Sequence, residues 1–461
     1  MKTIYVTGEN KEHSLYIQLY EYFKHLIVEG IIKPGDRLPS IRKCAIEREV
    51  SKTTVEASYM QLTAEGYVRS IPGSGYYVSE IGVYKKPIIE SYNKHESESD
   101  IKYDFTTASV DDKSFNFELW RRYMKSALRN TERLIGYGDA QGEYDLRVAL
   151  TSYVKENRGV VCTPEQIVIG AGVQIMINLL CSLIDRNNTS VAFIGRRFPK
   201  GEAIFEDRGF STLQINTKFA EQVSDKERQS FIRELREKNI KIAYTFPSHM
   251  NEWGDVMPVD DRVAFLNYAK ENDALIIEDD YDSEFRYMVR PIPALQSIDG
   301  GQSVVYIGSF SRTLLPSLRL AFMVLPVGLI EKYRSRKELY NQTASTAEQI
   351  ALCQFIRDGH LKKQIRKARK LYQAKAQNLC KVIENVFKDK LIGSSAKEGF
   401  GLLIEVKTTL KDEEIQQRAK ENRIKINIVA SNDEMTGIFL SYSSIDEEDF
   451  HDSVELLYNC I

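Results

Sequence analysis

Between residues 14 and 30 apolar residues at 15, 19, 23, 26 and 27 have the spacing of one helical face, with Ser14 placed to cap its start and Gly30 to stop it. A short second helix follows Pro39-Ser40, with Ile41, Ala45 and Ile46 as its apolar face. Ser51 is expected to cap a third helix over 52–65, ended by Gly66. Two short strands, 67–70 and 76–79, flank Ile71-Pro72-Gly73-Ser74-Gly75, which reads as a hairpin tip. Three helices and a hairpin within the first 80 residues describe a winged helix-turn-helix. Residues 81–101 are polar, charged and aperiodic, as expected of a linker. From residue 102 to 326 apolar strands alternate with amphipathic helices, the mark of a mainly parallel sheet and an α/β domain. The strands are expected at 167–169, 191–194, 242–245, 275–278 and 304–307, with another after Arg319. The last part, 327–461, pairs two long helices (347–358 and 361–387) with short strands at 401–406 and 437–442 and a terminal helix. It reads as a smaller α+β lobe.

Composition narrows the class. A chain of 461 residues is too long for one core, and its 43% hydrophobic and 28% charged content is ordinary for globular protein. The formal net charge of −2 provides no global attraction to nucleic acid, and residues 1–80 hold ten Lys/Arg against ten Asp/Glu. Any DNA site must therefore be a local patch. No run of 18 apolar residues exists and residues 1–10 lack an apolar core, so a cytoplasmic protein without a membrane span is expected. The six cysteines are scattered without C-x-x-C spacing, which argues for a reducing compartment and against a metal site.

The candidate chemistry lies in two regions. In the head, a recognition helix needs short donors at its N-terminal end, where Ser51, Lys52, Thr53 and Thr54 can meet phosphates and base edges. Arg42 on the preceding helix can reach backbone or guanine, and Gly73 and Gly75 allow a close approach of the wing to the minor groove. L-P-S-I-R (38–42), V-S-K-T-T-V (50–55), L-T-A-E-G-Y-V (62–68) and G-S-G-Y-Y-V (73–78) resemble, in order and spacing, the GntR-type DNA-binding head.

In the body, four stretches carry the candidate site. At Gly170-Ala171-Gly172-Val173 a strand turns into a helix, and free amides at such a start suit a phosphate. The apolar strand 275–277 runs into Glu278-Asp279-Asp280-Tyr281-Asp282-Ser283-Glu284, acids that are costly to bury without compensation. Thr245-Phe246-Pro247-Ser248-His249 holds a lone histidine, as easily structural as ligand-binding. Ser309-Phe310-Ser311-Arg312 begins a hydroxyl-bearing loop that reaches Arg319; Arg312 can clamp a phosphate or carboxylate, or pair with the acidic run.

These stretches resemble fold-type-I enzymes that use pyridoxal 5′-phosphate. The resemblance implies Asp279 against the pyridine nitrogen, Tyr281 near the ring hydroxyl, and Ser309, Ser311 and Arg319 on the phosphate. Arg312 stands where such enzymes carry the lysine that forms an imine with the cofactor. A guanidinium stays protonated and is a poor nucleophile. Three further departures accompany it. Val173 replaces a small hydroxyl residue, Met250 replaces a glutamine, and Gly195-Arg196-Arg197-Phe198 fills the place of an acidic-x-Pro-Gly-Tyr motif. No arginine suited to a substrate carboxylate stands between Asn427 and Tyr442.

A GntR-type head joined to an aminotransferase-like body is the layout of the MocR/GabR family of transcription regulators. P-E-Q-I-V-I-G-A-G (164–172), E-D-D-Y-D-S-E-F (278–285), I-P-A-L-Q-S (292–297) and S-F-S-R-T-L-L-P-S-L-R (309–319) carry the match. The resemblance implies a non-enzymatic, DNA-binding regulator that forms a head-to-tail homodimer on double-stranded DNA. Its body would sense a small-molecule effector, pyridoxal 5′-phosphate or a related metabolite, held non-covalently. Two alternatives stay open: a constitutive regulator with a purely structural body, and an active aminotransferase.

Overall fold

The structure, a computed structural model, describes residues 14–80, 101–107, 109–186, 189–217, 224, 229–286, 292–395, 400–432 and 434–461. The chain divides into two compact units, Met1–Glu96 and Ser97–Ile461. The linker expected at 81–101 lies outside the described residues except for Ile101.

In the first unit, helices α1 (Leu15–Val28), α2 (Ile41–Glu47) and α3 (Lys52–Ala64) enclose Leu19, Phe23, Leu38, Val55, Tyr59 and Leu62. Helical spacing puts Leu19, Phe23 and Ile27 on one stripe, which packs on α3; Phe23 meets Tyr59 edge-on at 5.5 Å. Ser14 sits at the start of α1 without a side-chain cap bond, whereas Ser40 and Ser51 each accept an amide of their own helix. Strands β1 (Val68–Ile71) and β2 (Gly75–Val78) pair antiparallel, with Val68 opposite Val78. The turn between them places Gly73 and Gly75 at φ +74° and +120°, where a Cβ is strained. A Cβ on Gly75 would also crowd the Arg37 guanidinium at 3.1 Å.

The second unit is built on a mixed seven-stranded sheet. After β3 (Tyr103–Asp104), its strands are β4 (Ile167–Gly170), β5 (Ser190–Ile194), β6 (Ser211–Ile215), β7 (Ile242–Thr245), β8 (Leu275–Asp280), β9 (Val304–Ser309) and β10 (Ala321–Val324). They lie in the order β4-β10-β9-β8-β7-β5-β6. β10 runs antiparallel to both neighbours and the rest are parallel. The strands alternate between two covering layers, as a pleat requires. Ile167, Ile169, Tyr306, Phe322 and Val324 face one core, while Val168, Val305, Ile307, Ala321 and Met323 face the other.

The smaller lobe is a sheet of β11 (Leu391–Ser395), β12 (Gly401–Lys407), β14 (Asn427–Ser431) and β15 (Met435–Ser441) in the order β11-β12-β15-β14; the two-residue β13 (Ile424–Lys425) pairs separately with β3. The helix His360–Phe387 threads both lobes, with Leu361 in the large core and Ala368 to Phe387 in the small one. Packing and sequence division therefore differ at two places. Tyr103 and Phe105, placed by sequence in the large domain, are buried in the small lobe. Leu329, Ile330, Tyr333 and the helix Thr346–Arg357, placed by sequence in the small lobe, pack on the large sheet. Burial of an apolar stripe follows the nearest complementary face, and order along the chain does not set which face that is. Among the described residues no helix is long and apolar enough to cross a membrane.

Candidate functional site

The carboxyl ends of the parallel strands converge on a cavity of about 360 Å³. Arg196, Arg197, Phe198 and Lys200 reach it beyond β5, Phe246 beyond β7, Asp279 and Tyr281 from the end of β8, and Ser309 and Ser311 from the end of β9. Val173, Gln174 and Arg319 complete the wall. Clefts at these strand ends are where α/β sheets bind ligands, because backbone and loop groups project there beyond the packed core.

Of the sequence-derived candidates, Val173, Asp279, Tyr281, Ser309, Ser311 and Arg319 line the cavity, whereas Ala171, Gly172, His249 and Arg312 do not. Each exception has a local cause. The Ala171 amide donates to Thr343 Oγ1 at 3.0 Å and the Gly172 amide to Gly170 O at 2.9 Å. Among the described residues the amides of Val173, Gln174 and Ile175, in the first turn of the helix Val173–Cys181, have no acceptor. Gly172 instead makes room. At φ +93°, a Cβ there would lie 2.3 Å from Arg319 Nη2, so glycine lets that guanidinium settle at the helix start. Ser309 Oγ donates to Ser311 Oγ at 3.2 Å, which leaves both hydroxyls facing the same end. Two serines, one arginine and a helix N-terminus form an anion cradle.

At the other end the acidic run separates into distinct roles. Glu278 accepts the amides of Leu295 and Gln296 at 2.8 and 2.9 Å, capping the helix Leu295–Asp299. Asp280 pairs with Arg158 at 2.7 Å and accepts the Tyr306 hydroxyl. Asp282 meets His249 Nδ1 at 3.1 Å, which accounts for the buried histidine. Burial alone would raise the Asp282 carboxyl; the His249 charge and hydrogen bond, with Arg196 and Arg286, hold it below its usual range. Glu284 accepts the Tyr153 hydroxyl at 2.8 Å and is pushed up to about 7 by burial and the Asp280 charge.

Among the described residues of the acidic run, Asp279 and Asp280 each keep a buried Oδ1 without a partner, and of the two Asp279 lines the cavity. Its Oδ2 accepts the Tyr244 hydroxyl at 2.5 Å, while the buried Oδ1 has no partner. Burial pushes this carboxyl up to about 7, against the Tyr244 hydrogen bond and with the added repulsion of Asp280 and Asp282. An orphaned buried acceptor marks a place where a donor is missing.

Arg312 lies between two rings, its guanidinium 4.7 Å from the centroids of both Tyr281 and Phe400. Burial and the nearby Arg196 charge pull it down to about 9, which leaves it cationic at neutral pH. It stands between Tyr281 and Phe400 of the small lobe, while Arg158 pairs with Asp280 and His249 with Asp282. Sequence reasoning noted 195–198 only as a departure and missed Gln174, Lys200, Phe246 and the Tyr244 bond. The usable signal was position, since each of these except Tyr244 follows or opens an element at the carboxyl edge of the sheet.

In the head, Ser51 Oγ accepts the Thr54 amide at 3.1 Å and lies 2.7 and 2.8 Å from the Thr53 and Thr54 hydroxyls. This network orders the first turn of α3, with Ser51, Lys52 and Thr53 exposed on it, and Arg42 is exposed on α2.

The comparisons agree with this two-part construction. Residues 15–78 match the model of bacterial regulatory proteins of the gntR family, and residues 107–436 match aminotransferase class I and II. The chain belongs to the MocR/GabR family of regulators. It is 33% identical to the HTH-type transcriptional regulator YdeL of Bacillus subtilis (strain 168), over 96% of each chain. It is 27% identical to the probable rhizopine catabolism regulatory protein MocR of Rhizobium meliloti, over 98% of this chain and 94% of that one. Kynurenine aminotransferase of Pyrococcus horikoshii shares the fold of the body, with a TM-score of 0.68 and 20% identity over 78% of this chain and 90% of that one. A MocR/GabR-family chain is thus a DNA-binding transcription regulator with an aminotransferase-like domain, and its relatives are named as regulators, not as enzymes.

Proposed function

We propose that this regulator senses a phosphate-bearing, ring-nitrogen ligand of the pyridoxal phosphate type, bound non-covalently in the aminotransferase-like body. The observation that carries the reading is the orphaned Asp279 Oδ1, in the same cavity as the Val173 and Gln174 amides, Ser309, Ser311 and Arg319. A protonated ring nitrogen would satisfy the first and a phosphate the second, and Tyr281 stands on the same wall. Such a cofactor ordinarily supplies an electrophilic aldehyde, and position 312 offers a guanidinium where an amine would be needed to condense with it. The side chains here bind and orient; turnover is not expected.

Calorimetric titration with pyridoxal 5′-phosphate is expected to show saturable binding that Arg319→Ala weakens by about tenfold or more, the loss of a charge-assisted pair. Borohydride treatment should leave every lysine unmodified, Lys200 at the cavity wall included. A pyridoxyl-lysine adduct would refute the non-covalent reading.

The head would report the bound state. Ligand binding changes DNA affinity only if one arrangement of paired heads is favoured over another. A head-to-tail homodimer would present two heads to two half-sites. Ile135 and Tyr137, 87% and 88% exposed, support an apolar contact face on the body. On DNA, Lys52→Ala is expected to weaken binding across sequences and to lower the salt slope by about one ion, measured by titration at several salt concentrations. Cytoplasmic residence follows from that role.

A further inference from the structure

The outer face of the wing carries a row of side chains that the packing of the head does not use. Residues 35–38 run beside β2 as a third strand. The Gly35 amide donates to Val78 O, the Val78 amide to Asp36 O and the Leu38 amide to Tyr76 O, each at 2.9 Å. Arg37 therefore stands opposite Tyr77, which in turn stands opposite Arg69 on β1. Residues directly opposite one another in a sheet share a face. The inner face of the same strands supplies Leu38, Val68 and Val78 to the core, while Arg37 and Arg69 are exposed on either side of a partly buried Tyr77.

Arg37 is held in place there. Its guanidinium lies 6.0 Å from the Tyr77 ring centroid and leans over Gly75, where a Cβ would stand 3.1 Å from Nε and 3.3 Å from Nη2. Gly75 thus leaves the room in which that planar cation rests beside the wing tip. Among the described residues neither Arg37 nor Arg69 forms an ion pair, and the Asp36 carboxylate accepts the Lys33 amide at 2.8 Å. In a head whose charges balance, two unmatched guanidinium groups on one small face make a local positive field. Backbone pairing and the ring also pre-order Arg37, which lowers the entropy lost when it meets a ligand.

We propose that this outer face is a DNA-contact surface in its own right, in which Arg37 enters the minor groove beside the site read by α3 and Arg69 meets the sugar–phosphate backbone. The inference rests on the wing approaching the minor groove and adds the side chains delivered there. The tip itself has little to offer, since Gly73 and Gly75 lack side chains and Ser74 Oγ is 2.6 Å from the Tyr77 hydroxyl. A narrow A·T minor groove has an enhanced negative potential that draws a guanidinium, whereas G·C places an N2 amino group in the way. The flank under the wing is then where A·T is told from G·C.

The test starts from a duplex that the full chain enriches from a random library. Its flanking pairs are replaced by A·T, G·C or inosine·cytosine, the last lacking the N2 amino group, and affinities are measured at several salt concentrations. The unaltered protein is expected to bind the A·T and inosine flanks about fivefold tighter than the G·C flank. Arg37→Ala should bring that ratio to about one, and Arg37→Lys should keep the charge and lose most of the preference. Arg69→Ala should keep the preference and lower the salt slope by about one ion. Equal affinity for the three flanks in the unaltered protein, or a preference that survives Arg37→Ala, overturns the minor-groove assignment. An unchanged salt slope in Arg69→Ala overturns the outer face as a contact surface. If the full chain enriches no duplex, the DNA-binding role of the head falls and this inference with it. If Arg37→Ala does not fold, the flank ratio in Arg37→Lys decides.

Discussion

Arg158→Met is expected to destabilise the aminotransferase-like body by about 3–5 kcal/mol, seen as a lower urea midpoint for that unit. Arg158 is 3% exposed and holds three elements together. Its Nε donates to Asp280 at 2.7 Å, its Nη2 to Ser248 Oγ at 2.7 Å, and its Nη1 to the Ile292 carbonyl. Methionine fills the space but leaves Asp280 charged and buried with only the Tyr306 hydroxyl, and it strips Ile292 and Ser248 of a donor. Adding Asp280→Asn should recover a large part of the loss, because an amide removes the uncompensated charge. No recovery in the double variant would show that Arg158 acts through packing alone.

Asp279→Asn is expected to do the opposite to stability and to abolish ring-nitrogen pairing. Burial holds the Asp279 carboxyl near 7 in the fold against an ordinary 3.8. Between those two values the folded state keeps a proton that the unfolded chain has released, so stability falls as pH rises through that window. Above it the buried carboxylate costs about 4 kcal/mol, three units at about 1.4 kcal/mol each. Asparagine keeps the volume and can still accept the Tyr244 hydroxyl. The melting temperatures of Asp279→Asn and the unaltered protein should therefore lie closest at about pH 4 and separate progressively to several degrees at about pH 8, the variant being the more stable there. Glu284 is also raised to about 7 and gives the unaltered protein a slope of the same sign, so the difference between the two proteins isolates Asp279. The same substitution should weaken pyridoxal 5′-phosphate by about tenfold or more, since the amide is a poorer acceptor for a protonated ring nitrogen. Stability gained with binding lost marks a strained, ligand-completed group.

Much of the fold was legible because its signals are local. The period of α1, the caps at Ser40 and Ser51, and the glycine turn at the wing tip depend on residues within a few positions of one another. The strands of the large sheet are buried on both faces, and their apolar runs were found close to their observed bounds; β6, with four partly exposed or exposed positions, was missed. The limits of the lobes were less legible. Whether the helix Thr346–Arg357 covers one sheet or the other depends on which apolar face it meets, and Tyr103 joins Ile424 across more than three hundred residues.

The sequence by itself determined which groups are present: a capped recognition helix, an acidic run at a strand end, hydroxyls before Arg319, and a guanidinium at 312. Tertiary structure decided which of them are available. Glu278, Asp280, Asp282 and Glu284 look equivalent to Asp279 along the chain, yet each is matched by an amide pair, an arginine, a histidine or a tyrosine from a distant segment. Asp279 and Asp280 each keep a buried oxygen without a partner, of the acidic run Asp279 and Tyr281 line the cavity, and only the fold brings Arg196 near rings of both lobes. The physical reason is desolvation: the worth of a polar group is set by which partners reach it once water is gone, and those partners come from across the chain.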